Sequence, residues 1–427
     1  MTTRAPETNT RFQTGLPMTC NVLFAHQNFP GQYKLLAREL GSREEYKTVA
    51  IGQKSPFAHD FGPVQYHAYT SGPDAGADVF PPLTFFSEQA RRGDMVRRHL
   101  VELKQQGFAP DLCFVHPGWG EALFLRDVFP KTRIVSYLEY YYRSRDSDLD
   151  YDPEFQAPAV DFQYVPLRNL PTLQSAAEAD ALISPTHWQA QTFPTPLSNR
   201  IKVVHEGIDT EVAKPGVASP LTVPSTGLIQ PGHTLITYVA RSMEPYRGFH
   251  SFMRALPHLQ KHLPHAHVAI VGKEKTSYGR NPAPGRTWKQ VMLDEVGSQV
   301  DWSRVHFLGT LPYPALINLF RLSTVHVYLT YPFVLSWSLL EAMATGCAVV
   351  GSATEPVMEV IQDGENGLLT DFFDHRELAD KVAGLAENVD LRDRLSAKAR
   401  STVVGRYDFR SVSWPAYERL IADVLAA

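Results

Sequence analysis

The chain has 427 residues, of which 44% are hydrophobic and 11% aromatic, enough apolar material for two cores and two domains. Its 41 Lys and Arg against 45 Asp and Glu leave a formal net charge of −4, which gives no general attraction for nucleic acid. No apolar run approaches the roughly 20 residues that span a bilayer, and the opening MTTRAPETNTRFQTGLPMTC lacks the apolar core of a secretory signal, so a soluble cytoplasmic protein is expected. Cys20, Cys113 and Cys347 have neither paired nor metal-type spacing and read as reduced, buried thiols.

Residues 1–17 are polar and read as a disordered tail. NVLFAH (Asn21 to His26) is then a short apolar strand, followed by a loop ending at Pro30-Gly31 and a helix with Leu35, Leu36, Ala37 and Leu40 on its inner face. Gly31 is placed to let a loop backbone approach phosphate or sugar, or to serve as a plain helix-entry glycine. Arg91, Arg92, Arg97 and Arg98 read as a solvated helix face, with peripheral contact to an anionic membrane surface as the other reading. TVAIG (48–52), DLCFVH (111–116), RIVSYL (133–138), ALISP (181–185) and IKVVH (201–205) repeat the strand signal, several of them with helical stretches between. That alternation predicts a parallel sheet covered by helices.

Two of these strand ends carry candidate chemistry. His116 opens HPGWGEALFL, where a G-x-G alone is a weak dinucleotide signal, and the histidine could touch a substrate or simply be structural. Glu139 follows a buried strand among the rings of SYLEYYYR; carboxylates and rings suit sugars, and a buried ion pair is the alternative. Asp146, Asp148, Asp150 and Asp152 alternate like a calcium loop, but Tyr151 and Ala157 occupy the positions that need Gly and Glu, so a solvated acidic loop is expected.

From Lys214 to His233, Pro, Gly, Ser and Thr dominate and periodicity is lost. The boundary is placed there, giving an N-terminal Rossmann-like domain of 18–215 with 405–427 added, and a C-terminal one of 216–404. Alternation restarts with TLITYVA (234–240), VAIVG (268–272), VHFLG (305–309), VHVYLT (325–330) and CAVVG (347–351). Two doubly wound α/β domains would face each other across one cleft, because parallel sheets bind ligands beyond the carboxyl ends of their strands. TSYGRNPAPGRTWK (276–289), with Tyr278, Arg280 and Trp288, leaves a strand on that side. In LSWSLLEAMATGCAVVGSATEPVMEVIQDGENGLL (335–369), Leu339, Leu340, Met343 and Ala344 recur at helical spacing, Gly346 stops the helix, and Gly351-Ser352 opens a turn before a helix at Pro356. Ser338-x-x-Glu341 also matches a capping box, which would give Glu341 a purely local task.

This last string resembles the nucleotide-sugar site of the retaining glycosyltransferases of family four, which have the GT-B fold. ITYVARSMEPYRGFHSFMRAL (236–256), VVHEGIDTEVAKP (203–215) and VHFLGTLPYPALINLFRLSTVHVYLT (305–330) are similar to other segments of that family in the same order, while the N-terminal half matches more loosely. The resemblance implies that Glu341 binds the ribose of the donor, that Arg241 and Arg247 hold its diphosphate, and that Gly31, Leu335, Ser336 and Trp337 line the donor site. It implies a final helix, within RYDFRSVSWPAYERLIADVLAA, crossing back onto the N-terminal domain, and no metal or other cofactor. By position Glu139 corresponds to the family's catalytic-cleft residue, often a His there, and His116, at its strand end, is the other candidate for contact with the acceptor or donor sugar. One departure stands out: the family usually carries a second glutamate eight positions before Glu341, near the transferred sugar, and Phe333 occupies it here.

The reading is a hexosyltransferase-like enzyme that moves a sugar from a UDP- or GDP-linked donor to a hydroxyl acceptor of the glycan or glycolipid type, with retained configuration and no nucleic-acid partner. Its rivals are a GT-B sugar-nucleotide epimerase or phosphorylase, and a non-catalytic nucleotide-sugar-binding protein.

Overall fold

The computed structural model describes residues 19–54, 61–70, 79–156, 159–223 and 227–427, so the expected disordered tail lies outside the described residues. Seven parallel strands form the first sheet: β1 (Cys20–Ala25), β2 (Tyr46–Gln53), β3 (Gln65–Tyr69), β4 (Leu112–Val115), β5 (Arg133–Tyr137), β6 (Ala181–Ser184) and β7 (Ile201–Val203), ordered β3-β2-β1-β4-β5-β6-β7. After a short antiparallel pair, β8 (Leu221–Val223) and β9 (Gly227–Ile229), come β10 (Leu235–Ser242), β11 (His267–Lys273), β12 (Val305–Gly309), β13 (Val325–Tyr328), β14 (Val349–Ser352) and β15 (Leu368–Thr370). These six make a second parallel sheet, ordered β12-β11-β10-β13-β14-β15. Both orders reverse beside the first strand of the sheet, at β1/β4 and β10/β13, which are the crevices where open α/β sheets take ligands. Among the described residues no helix is long and apolar enough to cross a membrane.

Each sheet is buried on both faces, as near-continuous apolar strands such as VLFA and LCFV require. One face of the first sheet is closed by the last helix, Trp414–Ala426, whose Tyr417, Leu420 and Ile421 join Val22, Phe24 and Phe114 in one cluster. The chain's end therefore returns to the first sheet.

Two local expectations are corrected. Gly351 and Ser352 continue β14 as buried strand residues instead of opening a turn, because both pair with β15. The aspartate loop is solvated only in part: Asp146 is exposed, whereas Asp148 and Asp152 are 3% and 2% exposed. Asp148 accepts hydrogen bonds from Tyr140 (2.8 Å) and from Tyr246 (2.9 Å), the latter beyond β10. Asp152 accepts one from Tyr331 (2.6 Å) and lies 3.1 Å from His250 Nε2. Buried carboxylates need such partners, and here Tyr246, Tyr331 and His250 come from the C-terminal half, so the 140–156 segment fastens the two halves together.

Candidate active site

On the C-terminal side, β10 delivers Arg241 and then a tight turn, Pro245–Arg247, ending at Gly248 with φ +66°. A Cβ on Gly248 would lie 2.3 Å from Leu329 Cβ, so glycine lets this turn lie directly on the end of β13. Arg247 is 5% exposed and fixed: its Nη1 donates to Thr330 Oγ1 and to the Val334 carbonyl, both at 2.9 Å. Arg241 is exposed and donates to the Tyr278 hydroxyl at 3.3 Å. Both guanidinium groups lie within 6 Å of the Tyr278 ring, at 5.9 and 5.5 Å, which brings them together.

Glu244 holds that ring in place, its Oε2 accepting from the backbone N–H groups of Ser277 and Tyr278. Burial pushes its carboxyl up from 4.5 to about 7, against those hydrogen bonds and the two nearby arginines. An acid with a raised folded pKa stabilises the fold fully below pH 4.5 and loses that contribution as pH rises to about 7. Glu244→Gln, which keeps the accepting oxygen, should therefore gain on wild type by on the order of 3 kcal/mol across that window in urea unfolding. A difference that does not change with pH would show that Glu244 is already ionised throughout.

The helix Trp337–Thr345 is capped by Ser336, whose Oγ accepts from the Ser338 N–H and whose own N–H donates to Tyr328 Oη at 2.8 Å. The capping box on Ser338 is thus not formed, and Glu341 is free of that task. Its half-buried carboxylate instead takes a hydrogen bond from Tyr313, with Lys34 nearby, and burial raises its pKa. Trp337 is 38% exposed one turn earlier, while Leu335 leans on the hydrophobic cluster behind the helix. Across from this face stands the loop after β1, so that Gly31, Lys34, Tyr313, Trp337 and Glu341 surround a cleft of about 210 Å³. Lys34 sits 4.5 Å over the Tyr313 ring, bridging the two halves.

A larger cavity of about 710 Å³ lies between the halves as well, walled by Trp119, Tyr142, Arg168, Tyr246, Tyr278 and Phe333. Phe333 is 3% exposed, its ring 4.9–5.5 Å from those of Tyr140, Tyr246 and Tyr278 and 5.7 Å from the Arg247 guanidinium. On the N-terminal side, Glu139 and His116 meet at 3.3 Å, and 28% of the Glu139 side chain is exposed. Arg97 and Arg98 are spent on Asp94, and Arg92 on the Trp119 carbonyl.

The structure thus joins Arg241 to Arg247, sets Trp337 and Glu341 opposite Gly31, and pairs Glu139 with His116. Sequence reasoning missed Lys34, Tyr313, His26 and Gln32. Tyr313 sits inside a segment already singled out, whereas His26 and Gln32 lie in a loop, HQNFPGQ, that has no periodicity to read.

Two family models match the chain: a glycosyl transferase family 4 group model over residues 44–213 and a glycosyl transferases group 1 model over 226–402. A D-inositol 3-phosphate glycosyltransferase of Nocardioides sp. is 27% identical over 59% of this chain and 54% of its own length, so the chain spans about half of that curated relative. LpsE of Rhizobium meliloti, a lipopolysaccharide core biosynthesis glycosyltransferase, is 31% identical over 28% of this chain and 34% of its own length. Among solved structures, sucrose-phosphate synthase from Thermosynechococcus elongatus superposes with a TM-score of 0.71 at 15% identity, covering 95% of this chain and all (100%) of the other. Anabaena HepE, solved with UDP and glucose, gives 0.65 at 16% identity, covering 94% and 100%. These two likenesses are likenesses of fold, the two-domain GT-B architecture.

Proposed function

Because this chain belongs to the glycosyltransferases of family four, we propose that it moves a sugar from a nucleoside diphosphate sugar to a hydroxyl acceptor with retained anomeric configuration. The product would be a polysaccharide, glycolipid or other glycoconjugate, made in the cytoplasm with at most peripheral membrane contact. The observation that carries the reading is the joint placement of Arg241 and Arg247 around Tyr278, with Tyr328 and Val334 tying Arg247 to the start of the helix that bears Glu341.

In the reaction so read, Glu341 accepts hydrogen bonds from the ribose hydroxyls in the smaller cleft, beside Trp337 and Gly31. The bond from the sugar's anomeric carbon to the diphosphate breaks with its electron pair going to the phosphate, where Arg241 and Arg247 meet the growing negative charge in place of a divalent ion. The acceptor oxygen bonds the same carbon from the same face and passes its proton to the departing phosphate. Glu139 and His116 face the transferred sugar. The ring-lined cavity suits the C–H faces of a glycan acceptor. UDP is the first donor base to test, given the ligand in the HepE structure, with GDP as the alternative.

Incubation with UDP-glucose, UDP-N-acetylglucosamine and GDP-mannose, each with mixed glycan acceptors, should yield an acceptor-linked product by chromatography whose linkage keeps the donor's configuration by NMR. Interconverted donor without a linked product would make the protein an epimerase, and an untouched panel would remove catalysis.

Glu341→Ala should weaken nucleoside and nucleoside diphosphate binding alike by about 1.5–3 kcal/mol, the range for hydrogen bonds to a charged group. The helix should survive, since Ser336 caps it. Calorimetry showing unchanged affinity in the variant would take Glu341 out of the donor site.

A further inference from the structure

Beside the first strand, four side chains, closed at each end by a backbone amide, form one hydrogen-bond relay with a fixed direction. His26 Nδ1 accepts from the Asn28 backbone N–H at 2.9 Å, so in the neutral ring Nε2 carries the proton and donates to Gln32 Oε1 at 2.6 Å. With its oxygen engaged, Gln32 presents its amide N–H to Glu139 and donates to Oε1 at 2.5 Å. The other carboxylate oxygen faces His116 Nε2 at 3.3 Å, and the His116 Nδ1 accepts from the Gly118 backbone N–H at 3.3 Å. Backbone amides therefore fix the tautomer at both ends, and every donor meets an acceptor.

The relay is sterically locked. A Cβ on Gly31 would lie 2.4 Å from the His26 ring, so the loop closes over that ring only with glycine there. Burial holds the His26 pKa down at about 3, which keeps the ring neutral and the direction unchanged at any working pH. Glu139 is gripped on both oxygens from behind yet keeps 28% of its side chain exposed. Its partners lead to both cavities: Gln32 lines the one with Glu341, while Trp119, next to Gly118, lines the larger.

We propose that His26 and Gln32 are positioning residues that aim Glu139 at the transferred sugar, where its carboxylate accepts sugar hydroxyls and opposes the positive charge that develops on the ring as the bond to phosphate breaks. This rests on the transferase reading above. No covalent bond to Glu139 is formed. The titratable groups that face this carboxylate are His116, His26, Tyr33, Tyr137 and Tyr142. Hydrogen bonds from His116 and Gln32 outweigh burial and hold its pKa below the ordinary value, so loss of the Gln32 donor must raise it.

The test uses Gln32→Leu, which deletes the donor, and Gln32→Glu, which keeps the volume but turns an oxygen toward Glu139. Turnover of whichever of UDP-glucose, UDP-N-acetylglucosamine and GDP-mannose the wild type consumes fastest is followed against pH, and Glu139 is titrated by carbon NMR in the full chain. The expected result is an acid limb of kcat moved up by about one pH unit in both variants, more in Gln32→Glu, with the NMR titration moving alike. At pH 6, kcat should fall roughly tenfold to a hundredfold, with UDP affinity within about twofold. A drop in kcat with no movement of either titration would make Gln32 a packing residue and overturn the proposal, as would unchanged kcat. If the wild type consumes no nucleotide sugar, the transferase reading fails and this role fails with it, whatever the titration shows.

Discussion

On the proposed role, Glu139→Gln should lower turnover at saturating donor by roughly a hundredfold or more while leaving nucleoside diphosphate affinity within about twofold, because it would remove a charge proposed to face the reacting ring and leave the proposed nucleotide contacts in place. Gln is nearly isosteric and can still accept from Gln32 through its oxygen. Its amide N–H₂ would then face the His116 N–H, a donor against a donor, so part of the loss is one of position. Steady-state kcat and KM separate the two sites cleanly. A variant with wild-type kcat would make Glu139 a structural partner of His116 and no more.

The second large effect is on binding. Arg247→Ala should cost about 1.5–3 kcal/mol of nucleoside diphosphate affinity, and almost none of the affinity for the nucleoside alone, since only the former presents phosphates. The melting temperature should fall too, because Thr330 Oγ1 and the Val334 carbonyl lose a charged donor in a buried place. Lys at this position restores the charge but not the planar guanidinium whose Nη1 reaches both acceptors, so the rescue should be partial. Calorimetry in which both ligands lose equally would remove Arg247 from the phosphate site.

Most strands could be read from the sequence because they are short apolar runs bounded by turns, and the helix bearing Glu341 could be read from its spacing. The omissions have physical reasons. β3, QYHAY, is an edge strand with only Tyr69 fully buried, so it lacks an apolar run. The strands β8, β9 and β15 are three residues each, too short for any period to show. Asp148 and Asp152 looked solvated because their partners Tyr246 and Tyr331 stand 98 and 179 residues away. The relay was hidden for the same reason, Gln32 and Glu139 being 107 residues apart. Ser338-x-x-Glu341 fits a capping box by spacing, but the Ser336 side chain accepts from the Ser338 N–H, so the helix starts earlier than that box requires. Phe333 was visible as a departure, but that its ring would sit among three tyrosines could not be read from its neighbours in sequence.

The central claim is that the cleft between Gly31 and Glu341, backed by Arg247, holds the nucleoside diphosphate half of a sugar donor. Thermal unfolding of the wild type with UDP and with GDP at saturating concentration tests it most directly, since a ligand bound only by the folded state raises the melting temperature. One of the two should give an upward shift that disappears in both Glu341→Ala and Arg247→Ala. No shift with either, or an equal shift in the two variants, would contradict it.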